Sequence, residues 1–310
     1  MIAYIWLILG LTVLVMSGNW LVTGSVQLAR YFKISSLVVG LTVVAYGTSA
    51  PEMFISVGAA LDGAHDIALG NVIGSNIANI GCILAIVALI YPIVIRNKAI
   101  AFDLMIMFIV TILLLVFGLN GVIGFWEGVC FVGILVGYTV WSVVKSRMNF
   151  SSEETEKVTM KPILAVLLIL VSIVGLYFGS GWFVLGAREI ALQWGVSERV
   201  IAISVVAIGT SFPELMTSLV AAIRKEADLS IGNIIGSNIF NIAGVLGVTS
   251  IIRSLNIGDL SMFFFDMKWV FGISLALVLC MLPLSRGKIS RLKGGLLLLS
   301  FMIYILILYR

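Results

Sequence analysis

Val43-Val44-Ala45-Tyr46-Gly47-Thr48-Ser49-Ala50-Pro51-Glu52 returns 162 residues further on as Val205-Val206-Ala207-Ile208-Gly209-Thr210-Ser211-Phe212-Pro213-Glu214. A second stretch keeps the same offset. Gly70-Asn71-Val72-Ile73-Gly74-Ser75-Asn76-Ile77-Ala78-Asn79-Ile80 faces Gly232-Asn233-Ile234-Ile235-Gly236-Ser237-Asn238-Ile239-Phe240-Asn241-Ile242. Residues 18–80 lie over residues 180–242 without insertion or deletion, the signature of a duplicated unit. Each copy sets glycine, proline and glutamate inside apolar sequence, so fold and chemistry are decided together.

The surrounding chain is too apolar for a fold in water. Of its 310 residues, 61% are hydrophobic and 11% charged, and the mean hydropathy is +1.18; soluble domains average about 25% charged residues. Ten apolar runs, near 3–24, 36–60, 67–92, 100–118, 122–144, 162–187, 198–222, 229–252, 262–282 and 292–309, have the length that crosses about 30 Å of hydrocarbon. The expectation is an all-α membrane protein of ten transmembrane helices. Each half holds five, an odd number, so the second copy enters the membrane from the opposite face. This gives two inverted five-helix repeats, 1–145 and 162–310, joined by a hydrophilic linker, 146–161, that carries Glu153, Glu154 and Glu156. The first 17 residues lack a basic n-region and run into Gly18-Asn19-Trp20, so they read as a retained helix.

Orientation follows from Lys and Arg, which cytoplasmic loops retain during insertion. Fourteen of the 19 fall on the side reached after helices 1, 3, 5, 7 and 9, and five on the other. The first side is therefore expected to be cytoplasmic, and both termini extracellular or periplasmic on a multi-pass plasma-membrane protein. The net charge of +4 is explained by this topology and contact with lipid headgroups; nothing points to a nucleic acid or an obligate protein partner. Cys82, Cys130 and Cys280 lie in apolar runs without metal or redox spacing and read as packing residues. His65, between Asp62 and Asp66, reads as part of a solvated loop.

Glu52 and Glu214 read as the only acidic residues well inside a span, where a charge costs at least about 2.5 kcal/mol. No Lys or Arg lies at comparable depth, so the compensating charge is a bound cation or a proton. The Gly-Thr-Ser-x-Pro-Glu motif breaks a helix, because proline removes an N–H and clashes with the preceding turn. Carbonyls are thereby freed, which is tolerated at membrane depth only within protein or beside a cavity. Thr48 and Ser49 are four and three residues from Glu52; Ser75 and Asn79 are four apart; Thr210, Ser211, Ser237 and Asn241 repeat the pattern. Carboxylates, amides, hydroxyls and carbonyls make an all-oxygen inventory suited to calcium and sodium rather than zinc or copper. No cofactor is expected. Asn71, Asn233, Asn76 and Asn238 also repeat and are expected to stabilise the breaks near the glycines, with ion contact open for one pair.

These motifs, Gly47 to Glu52 with Gly70 to Asn79 and Gly209 to Glu214 with Gly232 to Asn241, resemble the two α-repeats of the calcium/cation antiporter superfamily. Within it the chain is similar to the sodium/calcium exchanger family in its minimal prokaryotic form. The resemblance covers the repeats closely and the ten-helix plan over nearly the whole chain. It implies exchange of sodium for calcium by alternating access. It would make Glu52 and Glu214 the calcium ligands, with the carbonyls of Thr48 and Thr210. Sodium would sit on Ser49, Ser75, Ser211, Ser237 and the carbonyls of Ala45 and Ala207, with Asn79 and Asn241 lining the centre. Asn241 departs from the aspartate of potassium-dependent relatives, which argues against a potassium requirement.

A calcium/proton antiporter using the same glutamates is the alternative. A channel fits inverted repeats less well. An intramembrane enzyme lacks a nucleophile–base pair, the one histidine being assigned to a loop. Helices 1 and 6 are expected to slide against the remaining bundle, on Gly18, Gly24 and Gly186.

Overall fold

The computed structural model describes residues 2–94, 100–149, 159–195, 209–281 and 288–308. Eight helices are long and apolar enough to cross a membrane: α1 (Ile2–Phe32), α4 (His65–Ile90), α5 (Ile100–Asn120), α6 (Phe125–Met148), α7 (Pro162–Gln193), α9 (Ala227–Ile252), α10 (Leu260–Met281) and α11 (Arg291–Leu308). A ninth span is broken: α2 (Ser36–Thr48) and α3 (Ala50–Leu61) meet at Ser49 with a bend of 45°. The shorter α8 (Phe212–Ile223) occupies the mirror position of α3. The stretch expected to precede α8 lies largely in 196–208, outside the described residues, as do 150–158 of the linker. The helical, membrane-spanning class thus holds, with eight to nine spans among the described residues.

Sequence explains the broken span. Pro51 cannot donate to the Gly47 carbonyl, and Ser49 leaves helical geometry with φ −89° and ψ 9°. Before the break, α2 widens into a π-helical turn over Gly40–Val44. Similar turns lie in α4 at Asn79–Leu84 and in α9 at Phe240–Leu246. Such turns shift side chains off the regular helical register and recur at functional sites.

Two short antiparallel ribbons tie the halves at opposite ends of α5. Ile93–Val94, after α4, pairs with Lys288–Ile289, before α11; Val122–Ile123, before α6, pairs with Leu255–Asn256, after α9. Each ribbon takes one strand from each sequence repeat.

The core is in two parts. The larger joins α4, α5, α6, α9, α10 and α11 around Ile77, Ile80, Phe131, Ile234 and Leu277. A separate cluster, with Leu14, Leu21, Val39, Val44, Leu176 and Val220, seats α1 and α7 on the rest. These two helices run antiparallel in contact along their length. A methyl on Gly24 would lie 2.9 Å from the Ala165 carbonyl, and one on Gly186 2.7 Å from that of Ala3. This corrects the sliding-surface reading: Gly24 and Gly186 join α1 to α7, and only Gly18 faces the bundle, at Met216 and Val220. Cys130 is exposed on α6 rather than packed, and His65 opens α4 rather than sitting in a loop.

The closest crossing in the centre is α2 on α9. A Cβ on Gly232 would sit 2.6 Å from Leu37 O and 3.3 Å from Gly40 Cα, and one on Gly40 2.6 Å from Leu229 O. Only glycine lets the backbones meet this closely, and the contact sets the depth at which Thr48 meets α9. Gly232→Leu is therefore expected to lower the melting temperature in detergent by an amount corresponding to at least about 1–3 kcal/mol. Gly133→Ala, where a Cβ meets nothing within 4 Å, should leave it unchanged; equal melting of the two variants would contradict the crossing.

Candidate ion site

The break in α2–α3 and the start of α8 deliver the two glutamates to the interior. Glu52 and Glu214 are 1% and 2% exposed and lie within electrostatic reach of each other. Ser49 Oγ donates to Glu214 Oε1 at 2.8 Å, a hydroxyl of the first repeat on the carboxylate of the second. No matching bond runs from Ser211 to Glu52 among the described residues. Thr48 Oγ1 lies 3.3 Å from both Asn233 Oδ1 and Ala45 O.

Each glutamate is held from behind by an asparagine. Asn71 Nδ2 donates to Glu52 O at 3.2 Å and to Ser56 Oγ at 3.0 Å. In the second repeat Asn233 Nδ2 donates to Glu214 O at 3.4 Å and to Ser218 Oγ at 2.9 Å. These asparagines brace the helix that carries the glutamate, rather than capping a glycine break. Ser56 and Ser218 escape a reading based on the motif, although they too obey the offset of 162.

Among the expected site residues five buried oxygens have no hydrogen-bond partner: Glu52 Oε2, Glu214 Oε2, Asn79 Oδ1, Asn241 Oδ1 and Ser237 Oγ. Elsewhere in the described residues Asp103 Oδ2, His65 Nδ1 and the hydroxyls of Ser25, Ser142, Thr217 and Thr249 are also unmatched. Four of the five site oxygens can only accept, and a buried acceptor without a donor costs about 1–3 kcal/mol, more if charged. Their shared complement is a cation. Among the described residues no three His, Cys, Asp or Glu side chains converge, and the expected set is two carboxylates among neutral oxygens.

The expected residues are brought together unevenly. Thr48, Ser49, Ser75, Asn79, Ser211, Ser237 and Asn241 are buried, and Thr210 is half-buried. The Ala45 carbonyl is not free, since it accepts Ser49 N–H at 3.0 Å. Ala207 lies outside the described residues. Gly209 O, which Pro213 cannot serve, takes the hydroxyl of Ser180 from α7 at 2.5 Å; the mirror position, Gly18, has no hydroxyl, so the motif alone gave no sign of it. Asp103 corrects the count of buried acids. It lies in α5 at 3% exposure, made tolerable by Tyr138 Oη, which donates to Oδ1 at 2.9 Å. Asp266 pairs with Tyr304 Oη at 3.1 Å in the second half.

A broken span, close glycine crossings and two buried glutamates mark a polytopic membrane protein of the ion-antiporter class. The model of the family described as sodium/calcium exchanger protein matches residues 2–144 and 164–310, and the chain belongs to that family. It is 37% identical over 80% of its length to an uncharacterized membrane protein of Methanocaldococcus jannaschii, covering 81% of that protein. It is 35% identical to a putative antiporter, CaxA, of Alkalimonas amylolytica, over 98% of both chains. The structure superposes on the sodium-calcium exchanger NCX_Mj soaked with zero Na+ and Ca2+ at a TM-score of 0.84, with 34% identity and 99% of each chain covered. The chain is thus a cation/calcium antiporter of the minimal prokaryotic type, a transporter by family rather than an enzyme.

The asparagine braces are open to direct test. Asn71→Leu and Asn233→Leu should each destabilise the protein by about 1–3 kcal/mol, because a serine hydroxyl and a glutamate carbonyl lose their donor. Thermal melting of the purified variants measures this, and wild-type melting in both would show the braces to be idle.

Proposed function

We propose that the protein exchanges sodium for calcium across the plasma membrane by alternating access, with calcium held between Glu52 and Glu214. Five of the unmatched buried oxygens, those of Glu52, Glu214, Asn79, Asn241 and Ser237, carry this reading. Two carboxylates balance one divalent ion, and calcium accepts six to eight oxygens in flexible geometry. The carbonyls of Thr48 and Thr210 would complete the calcium site, while sodium, with half the charge, can use the neutral oxygens of Ser49, Ser75, Ser211, Ser237, Asn79 and Asn241 and the carbonyl of Ala207. Ions that compete for shared oxygens exchange rather than travel together. An empty site leaves two buried charges uncompensated, which penalises movement without cargo and so favours exchange over leak.

The architecture in this proposal is ten helices in two inverted repeats, 1–145 and 162–310, about the linker 146–161, with both termini outside. The ribbons that bring loops of both repeats together at each end support it, as does the bias of basic residues. A sodium/calcium exchanger of Methanosarcina acetivorans, 28% identical over 98% of this chain and 97% of its own, supports sodium as the coupling ion. Calcium/proton exchange remains the second reading, because a buried carboxylate can carry a proton in place of a cation.

Uptake of calcium-45 into proteoliposomes separates the two. It should require internal sodium, fail with internal potassium or choline, and fall to background in Glu52→Gln and Glu214→Gln. Full uptake driven by a pH gradient without sodium would instead assign the proton, and transport surviving both substitutions would remove the glutamates from the site.

A further inference from the structure

We propose that Asn76 is a positioning residue that determines which end of the Asn241 amide faces the transported ion. The inference rests on the ion site proposed above and concerns a residue behind it. Asn76, 2% exposed on α4, turns its Nδ2 to the backbone carbonyl of Asn238 on α9 at 3.1 Å. A carbonyl only accepts, so the amide of Asn76 has one allowed orientation there. Its Oδ1 then points the opposite way and must meet a donor, which Asn241 supplies from Nδ2 at 3.1 Å. The polarity of one group thus dictates the next. Asn241 is left with Oδ1 buried and unmatched, the end of the amide that a cation can use.

Without this relay the Asn241 amide could rotate by half a turn and offer N–H groups to a cation, which repels it. The relay exists in one half only. Asn238, the repeat counterpart of Asn76, donates its Nδ2 to Ile234 O at 2.7 Å within its own helix. Among the described residues no bond joins it to Asn79. The two-fold repetition of sequence is therefore broken at the amides, and Asn241 is the one held by a partner from the other half. The oxygen it presents is neutral, so the effect falls mainly on the monovalent ion, while calcium draws on Glu52 and Glu214.

The test titrates thermal stabilisation of the purified full-length protein with sodium chloride and, separately, with calcium chloride. Asn76→Leu should raise the half-saturating sodium concentration about fivefold to tenfold, the loss expected for one misdirected hydrogen-bonding group. Half-saturating calcium should change by less than about twofold on the same grounds. An unchanged sodium value, or equal losses for both ions, would overturn the assignment. Asn76→Ala, which removes the amide without adding bulk, decides the matter if the leucine variant fails to fold. It too should raise the half-saturating sodium concentration about fivefold to tenfold; a wild-type value would refute the role. A wild-type protein that binds sodium yet drives calcium only with protons would sink the proposed coupling while leaving the role of Asn76 standing.

Discussion

The repulsion between two buried carboxylates, Glu52 and Glu214, is the constraint around which the interior is arranged. Among the described residues neither has a basic partner at its depth, and each keeps one oxygen unmatched. A fold that tolerates this must hold the glutamates rigidly, because relaxation of either helix would let them find protein donors or water. Asn71 and Asn233 supply the rigidity by gripping the main chain of the glutamates themselves. The contact of Gly40 with Gly232 sets the spacing between the helices, since any larger residue would separate them. The π-helical turns that begin at Asn79 and Phe240 widen the helices where oxygens are needed. Stability is thus given up at the centre and regained in the apolar contacts around it, as expected of a site shaped by its ligand.

Much of this was legible in the sequence for identifiable reasons. Proline and glycine act on the backbone directly, so the break at Ser49 could be read from Pro51 alone. Burial of the glutamates followed from their place in apolar runs, and the gapless repeat doubled each observation. Facing was less legible. Gly24 and Gly186 were recognised as contact residues, but the partner of a small residue depends on helix packing, and they join α1 to α7 rather than either to the bundle. Asp103 was passed over because it stands near the start of its run, where a charge can reach solvent; Tyr138, 35 residues away, keeps it inside. The freed carbonyls were over-counted at Ala45, which the first residue of the break satisfies.

The repeats are alike in motif and unlike in attachment. Ser180 reaches Gly209 where the counterpart is Gly18, and Tyr46 bonds Thr139 at 2.5 Å where the counterpart in sequence is Ile208. Arg224 holds α1 through Asn19 O at 3.1 Å and Thr23 Oγ1 at 2.7 Å, and its counterpart is Asp62. Ser180 and Arg224 thus tie α7 and α1 to the second repeat through bonds that have no counterpart in the first among the described residues. Under the alternating access proposed above, such differences would bias which state is favoured at rest, because identical halves would leave the two equal in energy.

Long-wavelength anomalous diffraction from crystals grown with calcium measures most directly whether the unmatched oxygens await a cation. A calcium peak is expected between the helix breaks, about 2.3–2.6 Å from Oε2 of both Glu52 and Glu214. No peak there at saturating calcium, or carboxylates turned onto protein donors with the ion elsewhere, would contradict the view that the cargo itself completes this core.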